Sequence, residues 1–512
     1  MLCPYSISDR ENNVFILSTK PRIRSDPSVG SQILIYGQAF TWTDKHIPPS
    51  QLNEWRKEGD TIVDEFFDIW GQQVQDGMDI YHFVQNIDNL EEHTHICDED
   101  DGHQCICNFD RFVRHTTPEW LNKRQIQQGQ KVFLKHTSPA LLSIFHYTLI
   151  LGYGFPQLND VLTKTQYLLS TPLSLTHRRL IETLQMIMSV VCGDIDDFDQ
   201  TWADVIRVRL LHGMVRYKIN KNRKTSSSGD VPINQEDLLV TLLGFTYSML
   251  NCIEKRMNIH LSMEEKESYL HLWRYIGWLI GIEEKYLYYV SSYNLATIIS
   301  ESIFYHHYFP TELSKHMVHH SLMAVYLHGL IPVSYQFHIG LCQTLLGKEL
   351  SQALNIHQPN VDRLHLYSIA LLLKILKLIS WLGTIDFPFL SNLIINRNRQ
   401  RLKKVIYSSL NNQLHSFALY NKNDPSIAKK VCLKDCCCGY YTKKRTGTVK
   451  THDIGLIRLT APFTIRHVLE ELWSLQCVLF IVRWLYKTIK RNIFKLILLA
   501  VISYFSILNC FK

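Results

Sequence analysis

The 512-residue chain is 46% hydrophobic and 11% aromatic against 20% charged, which excludes an intrinsically disordered protein and leaves enough apolar material for a sizeable core. Its net charge of +7 comes from Lys and Arg placed singly or in short runs, so the broad basic face that a nucleic-acid partner requires is not expected. An odd count of 13 cysteines, with no basic-then-apolar pattern at the N-terminus, points to reduced thiols and a cytosolic body.

Residues 1–117 read as an N-terminal extension. The first 50 residues are rich in turn formers and show little periodicity, whereas TIVDEFFDIW (61–70) has the 3.6-residue spacing of a short amphipathic helix. EEHTHICDEDDGHQCIC (91–107) gathers His93, His95, Cys97, His103, Cys105 and Cys107. Its CxC spacing lacks the paired CxxC knuckles of structural zinc sites, so a polar loop is expected there.

From 118 to 400 the chain reads as a succession of helices of 12 to 25 residues with no alternating strand pattern. TPLSLTHRRLIETLQMIMSVV (171–191) forms a helix opened by Pro172, with Arg179 and Thr183 one turn apart on an apolar stripe. A cation and a hydroxyl so placed suit the steering of bound dioxygen; a buried arginine paired with a carboxylate is the bland alternative. DIDDFD (194–199) lacks the central glycine and terminal glutamate of a calcium loop and reads as a turn.

RVRLLHGMVR (207–216) is the most informative stretch. Val205, Val208, His212, Val215 and Ile219 recur at three- and four-residue intervals, which places His212 on an apolar helix face. Gly213 removes a side chain beside it, and Arg209 and Arg216 lie about one turn before and after. That set suits a haem, with iron on His212, the flat ring against Gly213 and propionates on the arginines. A hydrogen-bonded core histidine is the competing reading. VPINQEDLLVTLLGFTYSML (231–250) and EEKESYLHLWRYIGWLIGI (264–282) follow as further helices whose polar residues sit at the edge of a core.

KHMVHH (315–320) contains HxxHH, the histidine box of di-iron membrane hydroxylases, with His306 and His307 nearby. The further boxes and hydrophobic hairpins which that chemistry needs are missing from the sequence. Residues 401–470 form a basic, weakly patterned region in which Cys432, Cys436, Cys437 and Cys438 crowd together, suited to acylation or present as reduced surface thiols. In the last segment, 471–512, residues 496–511 are uncharged and follow the basic run KTIKRN. This is expected to be a single C-terminal membrane helix, short enough to favour the thin endoplasmic-reticulum bilayer, with the body on the cytosolic side.

PEWLNKRQIQQGQKVF (118–133), GYGFP (152–156), HRRLIETL (177–184), RVRLLHGMVR, VPINQEDLL and YLHLWRYIGWLIG together, and in that order, resemble the family that groups MpaB oxygenase with latex clearing protein, the rubber oxygenase. The resemblance implies an all-α fold: one large helical domain of globin-like packing around a single haem b, which activates dioxygen to cleave a carbon–carbon double bond of an apolar isoprenoid or lipid. It makes His212 the proximal iron ligand and Arg179 and Thr183 the distal residues, with Arg209, Gly213 and Arg216 beside the cofactor. Two departures stand out: Glu182 occupies the place of a lysine that precedes the distal threonine in latex clearing protein, and the family's upstream glutamate has no counterpart in register, Asp160 being the nearest acid. A haem- or lipid-binding membrane protein without turnover therefore stays open as a second reading, ahead of the di-iron hydroxylase.

Overall fold

The computed structural model describes residues 14–16, 26–75, 116–165, 168–169, 172–193, 200–221, 230–328, 333–356, 363–384 and 388–409. All of them fall in one compact unit. The expected His/Cys-rich loop, the cysteine cluster and the C-terminal anchor lie outside the described residues.

A small sheet precedes the helices. β1 (Val14–Ile16) runs parallel to β2 (Gln32–Ile35), which pairs antiparallel with β3 (Gln38–Thr41). Tyr36 and Gly37 link β2 to β3 with φ of 46° and 80°, the pair of positive values that a two-residue hairpin turn demands. Ile33 and Ile35 alternate inward onto Trp42 and Tyr305. The alternation is legible in QILI, but strands of four residues are too short to stand out from the turn formers around them.

The remainder is helical, as expected. In chain order the main helices are α1 (Pro49–Trp55), α2 (Thr61–Gln75), α3 (Lys123–Lys135), α4 (Pro156–Lys164), α5 (Leu173–Cys192), α6 (Gln200–Lys221) and α7 (Gln235–Leu243). There follow α8 (Met263–Leu279), α9 (Tyr293–His307), α10 (Glu312–His328), α11 (Tyr335–Leu346), α12 (Arg363–Thr384) and α13 (Pro388–Ser409). Several starts are chemically marked. Asn122 accepts from the Gln125 N–H, Asn234 from the Asp237 N–H, and Ser262 forms a reciprocal capping box with Glu265.

Residues 26–75, expected as part of an extension, are woven into the core: Leu52, Trp55, Val63, Phe66 and Phe67 bury their side chains in the same cluster as α3 to α11. No helix among the described residues is long and apolar enough to cross a membrane.

Helix α6 is buried on both sides. Val208, Leu211, His212 and Val215 line a cavity, while Arg209, Gly213 and Arg216 face α2. Two π-helical turns, Ile144–Thr148 and Gly244–Ser248, border the same cavity. Such turns widen a helix locally and turn side chains out of the regular register, and they recur at functional sites.

Candidate functional site

The cavity has a volume of about 500 Å³, within the usual range for small-molecule sites. Its wall is mostly aliphatic and aromatic, contributed by α4 to α7, both π-turns, β3 and Phe304 of α9. His212 is the one histidine of that wall, and among the described residues the wall holds no Lys or Arg.

Burial pushes the His212 imidazole down to about 4, helped by the positive charge of Arg216 and opposed by Asp60. The ring is therefore neutral near pH 7, with a lone pair available to a metal. Its Nδ1 is buried with no hydrogen-bond partner. Native structures rarely leave such an atom unsatisfied without a ligand or a functional reason. Two more wall residues share the property: the Thr148 hydroxyl and the Trp273 indole N–H. Buried polar atoms on an otherwise apolar wall make this cavity the candidate ligand site. The sequence signals only His212 among them, because the π-turn that places Thr148 on the wall has no pattern of its own.

The flanking arginines do something else. Arg209 donates from Nε and NH2 to Asp60 at 2.7 and 2.8 Å, and Arg216 Nε donates to Asp64 at 2.6 Å. Both arginines are almost fully buried, and neither lines the cavity. Their expected role as propionate partners is corrected: they clamp α6 to α2, since a guanidinium at this depth requires a carboxylate. Gly213 is corrected on the same ground. A Cβ there would overlap Val63 Cγ1 and lie 2.9 Å from Phe67 Cδ2, so the flat object approaching its backbone is helix α2.

On α5 the two expected distal residues divide. Thr183 lines the cavity and donates to the Arg179 carbonyl at 3.2 Å. Arg179 stays off the wall, where its NH1 donates to Glu182 at 2.8 Å while Arg178 Nε takes the other carboxylate oxygen at 3.0 Å. Glu182 itself lines the cavity. All three wall carboxylates are thus already paired: Glu182 with these arginines, Asp237 with Arg56 (3.0 Å) and Asn234 (3.0 Å), and Glu301 with His46 (3.1 Å).

The motif VPINQEDLL turns out to be a buried polar hub. Gln235 donates to the carbonyls of Gly59 and Gly281 and accepts from the Glu283 N–H, which ties α7 to the α1–α2 and α8 connections. PEWLN and YLHLWRY meet each other: Arg274 lies 3.9 Å over the Trp120 ring, and His271 Nε2 accepts from the Asn122 N–H. In the HxxHH box the His316 and His320 rings lie 5.8 Å apart. His319 bridges Tyr335 and Asn355, His320 pairs with Thr176, and among the described residues they form no metal-holding group.

The site is thus an apolar cavity in a mainly helical body, with one neutral, partnerless histidine on its wall. Residues 169–375 match the model of the family described as ER-bound oxygenase mpaB/B'/Rubber oxygenase, catalytic domain. A stretch of 101 residues is 23% identical to the rubber oxygenase of Streptomyces sp. (strain K30), covering 19% of this chain. The match spans only 25% of that relative's length. A solved structure of latex clearing protein in the closed state superposes with a TM-score of 0.45 at 17% identity, over 59% of this chain and 78% of that one.

Proposed function

We propose that this protein is a haem b-dependent oxygenase that uses dioxygen to cleave a carbon–carbon double bond in an apolar isoprenoid or lipid. The observation that carries the reading is the partnerless Nδ1 of the neutral His212 on the cavity wall, within the segment that matches the oxygenase family. His212 would hold the iron, and the bound haem would supply the activation of dioxygen. The wall fits the iron better than the propionates, since Arg209 and Arg216 are already engaged by Asp60 and Asp64.

The chain's own groups have definable tasks. Aliphatic side chains such as Leu180, Leu184, Met186 and Ile187 exclude water and favour an apolar substrate. The Thr183 and Thr148 hydroxyls and the Trp273 N–H offer polar contacts on an otherwise apolar wall. Arg179 reaches this wall through Glu182, so we assign it a positioning role. The substrate class agrees with a body held at the endoplasmic-reticulum membrane by the C-terminal segment 496–511, which we propose as its anchor.

Absorption spectra of the full-length protein supplemented with haem test the reading. A Soret band is expected for the parent and not for His212→Ala, with circular dichroism confirming that the variant folds. Equal haem retention by His212→Ala would overturn it. The engagement of all three wall carboxylates favours one alternative, a haem- or lipid-binding protein without turnover. Cleaved products after incubation of polyprenyl lipids with the loaded protein under oxygen would reject that alternative.

A further inference from the structure

A second constellation lies behind the cavity wall and makes no use of His212. Glu236, on the first turn of α7, meets His306 and His307 on the last turn of α9. The carboxylate offers one oxygen to each ring: Oε1 lies 3.1 Å from His306 Nδ1, and Oε2 lies 3.3 Å from His307 Nε2. The ligand atoms of all three residues fall within 4.8 Å of one another. Two donors each about 2.0–2.1 Å from a tetrahedral zinc ion stand roughly 3.3 Å apart, so the observed separations already have the spacing of neighbouring ligands.

The outer contacts of both rings suit histidine ligands to a metal. His306 Nε2 faces Asn53 Oδ1 at 3.0 Å, an acceptor, so that nitrogen carries the proton. A metal ion taking the place of a proton on Nδ1, 3.1 Å from Glu236 Oε1, would leave this Asn53 contact intact. His307 has a comparable outer contact. Nδ1 lies 2.9 Å from Gln157 Nε2, while Gln157 Oε1 is buried without a hydrogen-bond partner. Turning the Gln157 amide over, an assignment that side-chain shape does not fix, lets its oxygen accept the Nδ1 proton and leaves the Nε2 lone pair facing Glu236. The second-sphere acceptors that orient histidine ligands are then in place on both rings.

The charge balance points the same way. Arg56 serves three carboxylates at once: Asp230 at 3.3 Å, Glu236 at 3.1 Å and Asp237 at 3.0 Å. Arg56, Glu236 and Asp237 are all deeply buried, where unbalanced negative charge is costly.

We infer that Glu236, His306 and His307 bind one divalent transition-metal ion, with zinc the best match to a donor set of two imidazoles and one carboxylate. The ion would tie α7 to α9, and through Asn53 to α1, from behind the wall to which Asp237 and Phe304 contribute. This site is independent of the haem reading.

Full-length protein stripped with EDTA and desalted, then titrated with zinc, should retain one equivalent through a second desalting and melt at a higher temperature. Cobalt in place of zinc should give the visible d–d absorption of a low-symmetry site. His307→Gln and Glu236→Gln should each weaken zinc binding at least tenfold, whereas His212→Ala should bind it unchanged. His307 is the less buried ligand, so its variant decides the matter if Glu236→Gln fails to fold. The inference is overturned if the parent retains no zinc, if His307→Gln retains it fully, or if His212→Ala loses it.

Discussion

Arg209 and Asp60 form a two-point ion pair, 2.7 and 2.8 Å long, whose side chains are 2% and 5% exposed. The pair joins the middle of α6 to the entry of α2, and it decides the orientation of the helix. With Arg209, Gly213 and Arg216 turned to α2, the face carrying His212 must turn to the cavity. Removing one partner strands a buried charge, at a cost of about 3–5 kcal/mol. Asp60→Asn and Arg209→Met should each lower the urea midpoint by a corresponding amount, and the double variant should recover part of the loss. Additive losses in a double-mutant cycle would refute the coupling.

Gly213→Ala sets two effects against each other. Alanine favours a helix interior by roughly 1 kcal/mol over glycine, but the added methyl meets Val63 and Phe67, and overpacking of a dense core costs about 1–3 kcal/mol. The steric effect should win, so the variant melts lower than the parent. Val63→Ala, placed in the same chain, should relieve the overlap and restore part of the stability. A Gly213→Ala protein that melts higher than the parent would show that α2 does not press on α6.

Acid should destabilise the protein through its buried histidines before the carboxylates protonate. His212 is pushed down to about 4 by burial and by Arg216, His146 to about 3 by burial and by His338, and His338 to about 4 by burial. In the unfolded chain these rings take up protons near pH 6.5, which the native state refuses. Stability therefore rises with pH between about 4 and 6.5 and falls as pH drops through that window. His212 alone contributes on the order of 3 kcal/mol of this slope. Urea titrations across the window should show the fall, and His212→Leu should flatten it measurably; an unchanged slope in that variant would contradict the burial of a neutral ring.

Thr148→Val replaces a partnerless buried hydroxyl with a methyl of similar size. Unsatisfied buried hydroxyls cost about 1–3 kcal/mol, so the ligand-free variant should be more stable by about 1 kcal/mol in a denaturant titration. The same change should weaken retention of a ligand that hydrogen-bonds this wall. A loss of ligand-free stability would mean that the hydroxyl is satisfied in solution.

The face of α6 that carries His212 was legible in the sequence because three- and four-residue spacing fixes which side chains share a helix surface. The role of the arginines was not, because the same spacing leaves open whether a guanidinium meets a propionate or a carboxylate 149 or 152 residues from it along the chain. Asp60 and Asp64 attract no notice in a segment of turn formers and short helices. Likewise, His306 and His307 read as neighbours of a histidine box, and only the packing of α9 on α7 brings them to Glu236.

Local chemistry, then, determined by itself the helical class, the helix start at Pro172, and the apolar setting of His212, since each depends on neighbours within a turn or two. Tertiary structure alone decided which buried charges neutralise one another and where a cavity is left open. Those outcomes are set by contacts between residues far apart in the chain, where burial makes every charge find a partner and every side-chain volume either fill a gap or leave one.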